Sequence, residues 1–124
     1  MSAEDIFYFA SESVSEGHPD KLCDQVSDAI LDACFKQDPE AKVAMETAVK
    51  GTKCCLLGEV TYNGDKIDFE KVARDTIKYI GYNDVNMGYD YATVDVIQEI
   101  SVQSKEIAGG VHEGKAEADV GAGD

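Results

Sequence analysis

Two stretches of alternating residues, 41–50 and 53–62, are separated only by Gly51-Thr52, and this constrains the fold more than any other feature. Alternation with period two predicts strands, and a two-residue link closes them into an antiparallel hairpin. In the first strand Val43, Met45, Thr47 and Val49 share one face, while Ala44, Glu46 and Ala48 share the other. A hairpin cannot bury a face by itself, so other elements must cover it. Two helices are predicted. One runs over 19–35, opened by Pro19 and ended at Asp38-Pro39, with Leu22, Val26, Ala29, Ile30 and Ala33 at helical spacing. The other runs from the N-cap Asp68 to about Ile80, with Phe69, Val72, Ala73, Thr76, Ile77 and Ile80 as its buried stripe and Gly81 as its stop. Asn63-Gly64 is a further turn signal. An apolar run at 6–10 predicts a first strand, and 93–102 a last one carrying Val94, Val96, Ile100 and Val102 on one face. The order β-α-β-β-α-β predicts an α+β two-layer sandwich, a mixed sheet with helices packed on one face.

The charge balance narrows the partners. Eleven Lys and Arg stand against 25 Asp and Glu, a formal net charge of −14. Nucleic acid demands a basic stripe, and the cations here are scattered, so no nucleic-acid partner is expected. No apolar run reaches membrane-spanning length, and the N-terminus lacks the basic-then-apolar layout of a leader peptide. No membrane role is expected, and a cytoplasmic location is. The four cysteines do not read as a disulfide or zinc framework. Cys23 and Cys34 lie on one helix with backbones roughly 16 Å apart. Cys54 and Cys55 are neighbours in a strand and point to opposite faces. All four are expected to be small buried apolar residues in a reducing compartment.

The chemistry concentrates at residues 11–21, Ser-Glu-Ser-Val-Ser-Glu-Gly-His-Pro-Asp-Lys. The turn sets His18, Asp20 and Lys21 around the positive end of a helix, where backbone N–H groups favour anions such as phosphate. His18 can donate to a phosphate oxygen, and Asp20 can hold the Mg²⁺ that accompanies polyphosphates. The same residues also read as a proline-initiated helix with an acidic first turn. Asp20, Asp24, Asp28 and Asp32 recur at i+4, and the last two invite cations from another domain or subunit, or form a solvated face. Glu46 and Glu59 are lone carboxylates among small or apolar neighbours in adjacent strands. A hairpin brings both to one sheet face, where a cation or an ammonium group would satisfy them unless that face is open to water.

The string Glu12-Ser13-Val14-Ser15-Glu16-Gly17-His18-Pro19-Asp20-Lys21, followed by Cys23-Asp24-Gln25-Val26-Ser27-Asp28-Ala29, closely resembles the N-terminal signature of the methionine adenosyltransferases, or S-adenosylmethionine synthetases. The resemblance resumes at Val43-Ala44-Met45-Glu46-Thr47, Gly58-Glu59-Val60, Ile80-Gly81-Tyr82 and Gln103-Ser104. It ends at Gly121-Ala122-Gly123-Asp124, which looks like the start of the family's Gly-Ala-Gly-Asp-Gln-Gly motif. It implies an enzyme that joins ATP and L-methionine into S-adenosylmethionine, releasing phosphate and diphosphate, with Mg²⁺ and K⁺ as cofactors. By the same resemblance His18 is a catalytic residue beside the ATP phosphates, Asp20 binds Mg²⁺ and Glu46 is associated with K⁺. Glu59 and Gln103 contact methionine, and Gln103 opens a flexible gating loop over 103–124. Glu12, Lys21 and Asp124 are implied near the site. Lys105-Glu106 departs from the family's common Pro-Asp, which puts the dynamics of that loop in question.

Family members have three similar α+β domains and active sites shared between subunits of a homodimer or homotetramer. The resemblance thus implies that residues 1–124 are the N-terminal domain, with central and C-terminal domains absent and little activity alone. The alternative is a non-catalytic acidic module that pairs with a full-length subunit through its sheet face and regulates it.

Overall fold

A computed structural model of the chain describes residues 6–101 and 116. It contains helix α1 (Pro19–Phe35), strands β1 (Lys42–Lys50) and β2 (Lys53–Thr61), and helix α2 (Phe69–Ile80). Short strands β3 (Asn83–Asp84) and β4 (Tyr89–Asp90) flank a 3₁₀ turn at Val85–Met87, and β5 (Asp95–Ser101) follows. The main sheet has the order β1-β2-β5, with β1 antiparallel and β5 parallel to the central β2. Both helices cover one face of it. The α+β reading with a mixed sheet and one-sided helices therefore holds.

Why these segments fold this way is local. Pro19 occupies the first turn of α1, and Asp68 caps α2 by accepting the Lys71 N–H at 3.0 Å. Gly81, in the left-handed region at φ 117°, ends α2 in a Schellman arrangement. Its N–H reaches the Lys78 carbonyl, and the Tyr82 N–H reaches that of Ile77 at 3.2 Å. Asp38 joins the α1 exit to the β2 exit, accepting both the backbone and side-chain N–H of Asn63 at 2.8 and 3.0 Å. Those backbone donors, Asn63 first and Glu40 second, hold its carboxyl below the usual range.

The core lies between helices and sheet. Leu22, Val26, Ile30 and Cys34 of α1 and Ala73 and Ile77 of α2 meet Cys54 and Leu56 of β2, closed by Val94. Across β1 the alternation predicted from the sequence appears as half-buried Val43, Met45, Thr47 and Val49 against exposed Ala44, Glu46 and Ala48.

Two expectations fail. The strand predicted at 6–10 does not form: that segment carries no secondary structure, and Ile6, Phe7, Tyr8 and Phe9 are 76, 85, 97 and 85 % exposed. An apolar run becomes a strand only beside a partner edge, and none among the described residues pairs with it. Cys34 and Cys54 are fully buried as expected, but Cys23 and Cys55 are only half-buried. Cys23 sits on the flank of α1, and Cys55 points to the sheet face that no helix covers.

Candidate functional site

His18 is the N-cap of α1. Its Nδ1 accepts the Asp20 N–H at 3.1 Å, and its carbonyl accepts the Leu22 N–H at 2.8 Å. Because Nδ1 serves as the acceptor, the neutral ring carries its proton on Nε2, which is the atom free to donate to an incoming group. One backbone donor at the helix start is consequently spent on the ring itself. The dipole-facing end thus presents an Nε2–H in place of that amide.

Asp20 adds a carboxylate 88 % exposed, with an oxygen 4.0 Å from His18 Nδ1. Lys21 is turned along the helix to Asp24, at 3.1 Å. The turn is held from two sides that its own sequence does not reveal. Gln25, two turns into α1, donates to the carbonyls of Glu16 at 3.0 Å and Lys21 at 3.1 Å. Tyr82, beyond the end of α2, donates its hydroxyl to the Gly17 carbonyl at 2.6 Å. Both residues fall inside the matched strings of the sequence, but nothing in their spacing announces these bonds.

Glu46 and Glu59 lie where the hairpin argument puts them. Glu46 pairs with Leu57, and Glu59 pairs with Ala44 on one side and Ser101 on the other, so both carboxylates share the face without helices. Glu46 is exposed and Glu59 half-buried. Glu46 and Lys21 also line one cleft of about 450 Å³ at the β1 edge, together with Asp24, Asp28 and Thr47. Glu12 is exposed in the segment without secondary structure that leads into α1. Gln103 and Asp124 lie outside the described residues, as does almost all of the proposed loop over 103–124.

Among the described residues no group of three or more His, Cys, Asp and Glu side chains converges in a way that could hold a metal ion. The donors present still suit a divalent cation bound to polyphosphate. Mg²⁺ keeps several waters and takes one or two carboxylates alongside phosphate oxygens, and Asp20 is an exposed carboxylate beside the His18 ring. The cysteines offer no rival centre. Burial pushes the Cys54 thiol up to about 11 and raises Cys23 and Cys34 as well. No helix among the described residues is long and apolar enough to cross a membrane.

The family model for the S-adenosylmethionine synthetase N-terminal domain matches residues 6–105. The chain belongs to that family. The matched span takes in the His18 turn, both helices and all three strands of the main sheet. The candidate residues singled out from the sequence stand on two supports. The N-terminus of α1 carries His18, Asp20 and Lys21, and the uncovered sheet face carries Glu46 and Glu59.

Proposed function

We propose that this chain contributes the N-terminal part of a methionine adenosyltransferase, forming S-adenosylmethionine from ATP and L-methionine with release of phosphate and diphosphate. The family match over 6–105 carries the reading, and the His18–Asp20 arrangement supports it. The methionine thioether has no proton to lose, so its attack on C5′ of ATP needs no general base. The barrier lies in aligning sulfur with carbon and in stabilising the negative charge that collects on the departing triphosphate.

His18 answers the second need by donating from Nε2 to a phosphate oxygen. Asp20 is the carboxylate that holds Mg²⁺, and Glu46 the one associated with K⁺. When bound, these cations supply electrostatic stabilisation of the phosphates. Glu59 and Gln103 orient methionine, while Glu12, Lys21 and Asp124 border the site. Residues 103–124 serve as the loop that gates it and begin the Gly-Ala-Gly-Asp motif. The remaining cationic groups come from the central and C-terminal domains or a second subunit of a cytoplasmic homodimer or homotetramer.

The test is Asp20→Asn in the full-length enzyme. Turnover is expected to fall by at least about a hundredfold, the loss typical of removing a group that stabilises developing charge, with the melting temperature unchanged. Wild-type kinetics in that variant would overturn the assignment. The non-catalytic module gains support only from the uncovered sheet face, which a homo-oligomer would use equally.

A further inference from the structure

We infer that Tyr82 is a positioning residue for the phosphate-binding turn, acting through Gly17 on His18; this rests on the role proposed above for His18. The Tyr82 hydroxyl meets the Gly17 carbonyl at 2.6 Å, a bond spanning 65 positions of sequence and joining the end of one helix to the beginning of the other. The contact is more than the hydroxyl. A Cβ built on Gly17 would lie 3.5 Å from that oxygen and 3.9 Å from the ring carbons Cε2 and Cζ, so the turn rests directly on the tyrosine.

The tyrosine is itself fixed at every end. Its N–H closes the Schellman stop of α2 on the Ile77 carbonyl, and its own carbonyl accepts the Tyr91 N–H at 3.0 Å. Its ring meets Tyr89 edge-on, with centroids 5.5 Å apart and planes at 83°. Arg74 in α2 then donates to the Tyr91 carbonyl at 2.7 Å, tying the far side of the ribbon back to the helix. A group held this firmly transmits its position to what it touches.

What it touches is the peptide linking Gly17 to His18. That carbonyl orients the peptide plane leading into His18, and with it the direction in which the imidazole leaves the backbone. The Asp20 N–H sets the ring's tautomer, and Tyr82 sets where the ring starts. A donor aimed at a phosphate oxygen loses its effect with displacements well below an ångström, so removing the brace should weaken nucleotide handling while sparing methionine.

The experiment uses the full-length enzyme with His18→Ala, Tyr82→Phe, the double variant and Tyr89→Phe, whose hydroxyl meets the Lys53 carbonyl at 3.4 Å and the Cys54 thiol rather than the turn. Rates are referred to the folded fraction measured by calorimetry. Tyr82→Phe is expected to lower kcat/KM for ATP about tenfold with the KM for methionine unchanged, and Tyr89→Phe to behave as wild type. In the His18→Ala background, Tyr82→Phe should change kcat/KM less than twofold, because the group it positions is gone. If His18→Ala is impaired but Tyr82→Phe is silent, or costs the same tenfold in both backgrounds, the positioning role is overturned. If His18→Ala itself shows wild-type kinetics, the function proposed for the turn fails first, and this role with it.

Discussion

An alanine methyl at position 58 would sit 2.1 Å from the Ala44 carbonyl oxygen and 3.1 Å from the Met45 Cα, both backbone atoms of the paired strand. Gly58 also lies at φ 146°, a conformation that side-chain-bearing residues rarely adopt. Gly58→Ala is therefore expected to destabilise the fold by at least about 2–3 kcal/mol, read as a lowered midpoint in urea unfolding. The sequence placed this glycine beside Glu59 but could not show its backbone angle, which depends on the partner strand. Asp38 makes a pH prediction. Its folded carboxyl is held below the unfolded value, so its contribution is complete above the unfolded pKa and is lost as pH falls through the folded one. Asp38→Asn should accordingly lose stability less steeply below about pH 4 than the wild type. Thiol labelling at pH 8 should reach half-buried Cys55 well before Cys34 and Cys54, whose burial and raised thiol pKa values withhold the thiolate.

At the scale of elements, legibility followed the source of the signal. α1, the β1–β2 hairpin and α2 were readable because caps, turns and periodicity are encoded within each segment. The Asp68 cap illustrates this: Asp68→Ala removes the acceptor for the Lys71 N–H and should cost about 1 kcal/mol, measurable by thermal unfolding of the full chain. The segment 6–10 misled for the opposite reason. Its Ile-Phe-Tyr-Phe composition is strand-like, but pairing depends on an edge located elsewhere. The β3–β4 ribbon went unread because two-residue strands are too short to show a period. Its turn depends on Gly88 at φ 80°, a residue that the sequence alone leaves as one glycine among eleven.

For the whole molecule, the asymmetry of the sheet matters most. One face is closed by two helices, while the other exposes Leu57 at 38 % beside Cys55, Glu46 and Ala44. If the proposed homo-oligomer forms through this face, Leu57→Lys should shift the full-length enzyme toward monomer in sedimentation experiments, leaving its helical circular dichroism intact. The candidate site divides along the same line. The helix start that carries His18, Asp20 and Lys21 was legible because a proline-led first turn is a local pattern. The mutual placement of Glu46 and Glu59 required only the hairpin register. The supports from Gln25 and Tyr82 were not legible, since the partner of a side-chain hydroxyl or amide is decided by how the helices cross.

The bond between Tyr82 and Gly17 also bears on the order of events during synthesis. A ribosome delivers the histidine-bearing turn early, yet its brace emerges only after both hairpin strands and the second helix. The turn and its Gln25 contacts can form long before Tyr82 clamps the other side. A nascent chain stalled ahead of Tyr82 should therefore display a histidine whose amide neighbours exchange their protons rapidly, and protection should appear abruptly once that tyrosine has left the exit tunnel.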